Sequence, residues 1–89
     1  MKKGKLKNGF EFEVDESVFD DMELLDDLAE SQNEDPLKIS FVLKKILGED
    51  QRKRLYDHLR NEAGRVPVEE TMDAILEIME IAGGEDGKN

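Results

Sequence analysis

Eighty-nine residues suffice for one small domain and leave no room for a second core or a large enclosed substrate cavity. Charged residues make up 40% of the chain against 37% hydrophobic, with a formal net charge of -10, which disfavours a nucleic-acid binder because phosphate contact needs Lys and Arg clustered on one face. Cysteine is absent, which excludes a disulfide scaffold, thiol catalysis and cysteine-ligated zinc or iron–sulfur sites and fits a reducing compartment.

Met1-Lys2-Lys3 has the charge of a signal-peptide start, but Gly4 to Glu13 supplies no apolar segment behind it. No run approaches the roughly 18–20 apolar residues that cross a bilayer. A soluble cytoplasmic protein is expected.

Residues 5–14 predict a β-hairpin, with Phe10, Phe12 and Val14 alternating with Glu11 and Glu13 after an Asn8-Gly9 turn. A three-residue loop, Lys7-Asn8-Gly9, sets Leu6 opposite Phe10 and so keeps Leu6 on the apolar face, which a two-residue loop would not. A first helix is expected over about 17–32, capped by Ser17, with Val18, Met22, Leu25 and Ala29 as its stripe, Phe19 and Leu28 beside it and Leu24 at its margin. A second, over 36–47, starts with Asp35 as cap and Pro36 at the first position and stops at Gly48. Its apolar residues wrap around more than one stripe, so it is expected at the centre. A third runs over 50–63 to Gly64, with Leu55, Tyr56, Leu59 and Ala63 as its face. A fourth runs over 68–82 and ends at Gly83-Gly84, and residues 85–89 form a disordered polar tail. The fold class is therefore mainly α: an N-terminal β-hairpin packed on a bundle of about four short helices, in one domain over residues 1–84.

On the fourth helix Val68, Met72, Ile75, Leu76, Met79 and Ala82 share one arc, and Ala74, Ile78 and Ile81 widen it to roughly 220°. An arc so wide is buried either by the domain itself or by another chain.

Charge is segregated in blocks. Glu11 to Asp35 contains twelve acidic residues without a Lys or Arg, whereas Lys38 to Arg65 is rich in cations. Acidic and basic helices packed as neighbours explain this most simply, and a surface for a basic partner is the sharper alternative. The run Arg52-Lys53-Arg54 could meet phosphate, although Glu49, Asp50 and Asp57 dilute its field.

Enzymatic motifs are lacking. There is no phosphate-binding glycine loop, no HExxH and no GxSxG. The single histidine, His58, reads as a surface residue, the carboxylates lack the spacing of a calcium loop, and Tyr56 reads as packing. No catalytic residue, cofactor or metal is expected.

A hairpin with an Asn-Gly turn, Asp15-Glu16 leading to Phe19, and the stretch Met22 to Glu30 together resemble the opening of small tail assembly chaperones of long-tailed bacteriophages. Asp35-Pro36, Ile46 to Gln51, Gly64 to Glu70 and the acidic–apolar last helix follow the same layout, so the resemblance spans about residues 5–82. It implies a chaperone in the cytoplasm of an infected or lysogenic bacterium that binds the tape-measure protein, keeps it soluble and delivers it to the major tail protein. It also implies a longer form made by ribosomal frameshifting, with which Gly87-Lys88-Asn89 is compatible because Lys and Asn take A-rich codons. Association of copies of the chain with one another stays open.

A partner of this kind calls for an apolar groove within a charged coat. The residues expected to bind it are Ala74, Ile78 and Ile81, as an uncommitted face, and secondarily Phe10 and Phe12. Ile78→Asp is then expected to leave the fold intact and abolish binding. The competing readings are an acidic mimic of nucleic acid that inhibits a DNA-binding protein, and a structural virion subunit.

Overall fold

A strand that alternates Phe10, Phe12 and Val14 with acidic residues is apolar on one face only, and a two-stranded ribbon cannot bury that face alone. In the computed structural model, which describes residues 1–33 and 37–83, helices cover it. Strands β1 (Lys2–Lys5) and β2 (Glu11–Val14) pair antiparallel, with Gly4 opposite Phe12. The Leu6 N–H donates to the Phe10 carbonyl (2.8 Å) and the Gly9 N–H to the Leu6 carbonyl (2.9 Å), so the loop is the three-residue Lys7-Asn8-Gly9.

β1 starts at Lys2 rather than Lys5. Its apolar-face position is Gly4, which the alternation rule does not recognise. A Cβ there would stand 2.5 Å from Phe12 Cζ and 2.9 Å from Ile81 Cγ2, so the missing side chain is what lets the aromatic ring and the last helix close over the strand.

The expected first helix divides in two. Asp15, not Ser17, is the cap: its Oδ1 accepts from the Ser17 N–H (3.0 Å) and hydroxyl (2.9 Å), producing a 3-10 turn over Glu16–Phe19. Asp21 Oδ1 then accepts from the Glu23 N–H (3.0 Å), and α1 runs over Met22–Asn33. The break uncouples Val18 and Phe19 from the helix. Leu24, Leu28 and Ser31 become the buried stripe, and Met22, Leu25 and Ala29 face outward.

Helix α2 (Lys38–Leu59) is interrupted at Gly48, whose φ of 81° and ψ of 169° separate two helical segments as the glycine stop predicts. It is the central element, burying Ile39, Val42, Leu43, Ile46, Leu47, Leu55 and Leu59. It ends before Ala63 because Asn61 builds a turn of its own: its Oδ1 accepts from the Ala63 and Arg65 N–H groups, both at 3.0 Å. Ala63 is exposed in consequence. The expected Asp35 cap, the Pro36 start, Gly84 and the tail at 85–89 lie outside the described residues.

Helix α3 (Val68–Ala82) buries Thr71, Ala74, Ile75, Ile78 and Ala82. Here the expected binding face is corrected. Ala74, Ile78, Phe10 and Phe12 belong to the core, and Ile81 is half-buried against it. The inner stripe keeps a three-to-four residue spacing through two alanines, whose small side chains allow close approach to α2 and the hairpin. Thr71 joins it because its hydroxyl donates to the Pro67 carbonyl (2.7 Å), which satisfies the polar group in burial. No helix among the described residues is long and apolar enough to cross a membrane.

Candidate partner-binding surfaces

With Ile39, Val42, Leu43, Ile46 and Leu47 turned to the core, the helical period sends Leu37 and Phe41 out of the opposite face, one turn apart. They are 81% and 63% exposed. Val68, at the first position of α3 after Pro67, is 61% exposed. An apolar cleft of about 440 Å³ lies beside them, lined by Leu37, Val68, Ile39, Tyr56 and Val66. Arg52 supports its wall: Nη1 donates to Ser40 Oγ (2.7 Å), and the guanidinium carbon lies 5.8 Å from the centroid of the Tyr56 ring.

That placement also disperses the basic run. Arg52 turns toward Ser40 and Tyr56, whereas Arg54 lies over Phe10, 5.8 Å from its ring centroid. The two guanidinium groups therefore make different contacts rather than a single phosphate clamp.

A second, larger groove of about 890 Å³ separates α3 from the start of α1 and the 3-10 turn. Leu25 and Leu76, 40% and 42% exposed, face it together with Phe19 and Met79. Phe19 rests on Gly83, where a Cβ would come within 3.0 Å of the ring, so the backbone at the end of α3 fixes the far wall. The hairpin loop closes the other end, with the Lys7 N–H donating to Glu77 Oε2 (2.8 Å).

Charges are matched between α1 and α2. Asp27 lies 3.6 Å from Lys38 Nζ and 3.4 Å from Lys45 Nζ, and Glu30 lies 3.3 Å from Lys38. The hydrogen bond that Lys38 donates to Glu30, with the charges of Glu30 and Asp27, raises the Lys38 pKa above its ordinary value. The Ser17 hydrogen bonds, backbone first, hold the Asp15 carboxyl below its ordinary value. His58 Nε2 lies 2.9 Å from the Asn8 carbonyl oxygen, to which it donates, with its ring 5.7 Å from that of Phe10, while the adjacent Asp57 pairs with Arg60 (3.0 Å). His58 thus holds the hairpin loop against α2. Among the described residues no group of three His, Asp or Glu side chains is arranged to hold a metal ion.

Of the five expected binding residues, Ala74, Ile78, Phe10 and Phe12 are thus interior rather than surface, and Ile81 is half-buried against them. The large apolar groups exposed at these surfaces are Leu37 and Val68 in the smaller cleft, Phe41 one helical turn from Leu37, and Leu25 and Leu76 in the larger groove. The signal for the first pair is in the sequence: Leu37 and Phe41 stand four apart in a helix whose apolar residues exceed one stripe, and a central helix buries only the arc it can pack. Leu25 and Leu76 carry no comparable signal, because each sits within a stripe whose phase is set by packing. No protein-family description, curated protein or solved structure matches the chain.

Proposed function

We propose that this chain is a tail assembly chaperone of a long-tailed phage or prophage, acting in the bacterial cytoplasm by binding alone, without catalysis or cofactor. It holds an apolar helical segment of the tape-measure protein and keeps that protein soluble until the major tail protein polymerises around it. The observation that carries this reading is the exposure of Leu37 and Val68, which line the smaller cleft, and of Phe41 one turn from Leu37, on a chain of net charge -10. Three large apolar side chains held in water by a folded domain call for a covering partner, and the acidic exterior keeps the complex dispersed. The order of hairpin, acidic stretch and helices that resembles the chaperone family supports the same reading.

A mimic of nucleic acid fits less well. It needs an unbroken field of carboxylates, and Asp27 and Glu30 are engaged by Lys38 and Lys45.

Co-expression with the tape-measure protein of the same phage or prophage tests the proposal. The two are expected to co-purify and to stay together at high salt, and Phe41→Asp with Val68→Asp is expected to separate them without altering the circular dichroism of the chaperone. Binding that is lost at high salt, or that survives the double substitution, overturns it.

A further inference from the structure

The larger groove differs from the cleft at Leu37 and Val68 in one respect that defines its occupant. Its α3 border carries Glu70, Asp73, Glu77 and Glu80, which the helical period confines to an arc of about 80° along one edge. Among the described residues Glu70, Asp73 and Glu80 have no ion-pair partner, and Lys7, at the hairpin end, is the only cation lining the groove. From Glu70 to Glu80 the row extends about 15 Å, close to three helical turns. Beside it the partly exposed Leu25 and Leu76 form an apolar floor with Phe19 and Met79.

We infer that this groove docks an amphipathic helix of a partner protein whose apolar stripe is flanked by Lys or Arg. The stripe covers Leu25 and Leu76, and the flanking cations meet the carboxylate row. A helix with acidic flanks brings like charges against that row and is rejected, so the row selects the partner and sets its orientation. The groove shares no residue with the cleft at Leu37 and Val68, and the inference does not depend on what that cleft binds.

The test titrates the whole chain, labelled for amide NMR, with three synthetic helical peptides of about 15 residues. One has a leucine stripe flanked by Lys, one the same stripe flanked by Glu, and one the same Lys with the stripe changed to Ser. The first is expected to bind, with shifts centred on Leu25, Leu76 and Met79, and the other two at least about tenfold more weakly. Leu76→Ser is expected to weaken the first peptide at least about tenfold, and Asp73→Asn with Glu80→Gln to weaken it and flatten its salt dependence. Phe41→Asp is expected to leave it unchanged. Equal binding of the Lys-flanked and Glu-flanked peptides, equal binding without the leucine stripe, shifts centred on Phe41 and Val68, or no binding of the first peptide each overturn the inference.

Discussion

The side-chain amide of Gln51 pairs with both backbone groups of Glu13: Oε1 accepts from the Glu13 N–H at 2.8 Å, and Nε2 donates to the Glu13 carbonyl at 2.7 Å. The same Nε2 lies 2.9 Å from the Leu47 carbonyl just before the Gly48 break. One side chain thus occupies the outer edge of β2 and ties the hairpin to the helix interruption. An open strand edge otherwise invites pairing with another chain.

Gln51→Ala is therefore expected to cost about 1–2 kcal/mol, since water replaces part of what is lost at this partly exposed site. Gln51→Glu is expected to cost more, because a carboxylate has no donor for the two carbonyls. Urea unfolding measures both, and a stability equal to that of the parent chain for Gln51→Glu contradicts the edge role. Size-exclusion chromatography of Gln51→Ala additionally reports whether uncovering the edge promotes association.

Gly4 is the second position where a single small change acts on several elements. The nearest atoms to an added Cβ are in the Phe12 ring and in Ile81, so the strain spreads across both hairpin strands and α3. Gly4→Ala is expected to destabilise by about 1–3 kcal/mol, as overpacking does, and Gly4→Val by more. Because any gain in strand propensity opposes this, a stabilising Gly4→Val would show that the hairpin and α3 are not held in close contact.

Which features were legible in the sequence follows from the physics that fixed each one. The hairpin register follows from local alternation and a turn that only one loop length reconciles with Leu6. Gly48 marks a helix break because the positive φ it adopts is a local backbone property. The phase of α1 was not legible, because Asp15 and Asp21 each offer a hydrogen bond to a neighbouring N–H and divide the segment between them. The inner face of α3 was equally hidden. Apolar residues cover so much of that helix that its orientation is chosen by the hairpin and α2, and Thr71 joins the interior only through its bond to Pro67. Reading Ala74, Ile78 and Ile81 as free surface inverted that choice. The exposed pair Leu37 and Phe41 was left behind by the same competition for core space.

Ile78 and Phe41 now make opposite predictions for the same substitution. Ile78 is fully buried, so Ile78→Asp places an unpaired carboxylate in the core and removes packing, at an expected cost above about 4 kcal/mol, comparable with the whole stability of so small a domain. Phe41→Asp, at an exposed position, is expected to stay within about 0.5 kcal/mol of the parent. Thermal melts of the two variants side by side decide it, and a folded Ile78→Asp with native melting returns that residue to the surface.

Two charged groups contribute to the pH dependence of stability from opposite sides. The Asp15 pKa is lowered below 3.8 by its bonds to Ser17, so the native state binds the proton less readily than the unfolded chain. Its stabilisation is fully present above that value and is lost as pH falls through the lowered folded pKa. The Lys38 pKa is raised above 10.5 by Glu30 and Asp27, so its contribution is fully present below 10.5 and is lost as pH rises through the raised folded pKa. Asp15→Asn is therefore expected to flatten the acid limb of a stability–pH curve while leaving the alkaline limb in place, and Lys38→Gln to do the reverse. Asp15 is exposed and Lys38 partly so, and added salt should weaken the Lys38 contribution through screening. The Asp15 bonds are short-range and local, and they should persist in the same salt. Stability measured by urea unfolding across the two pH ranges, at low and high salt, separates the contributions, and an alkaline limb unchanged by Lys38→Gln would remove the Lys38 pairs with Asp27 and Glu30 from the account of what holds the fold.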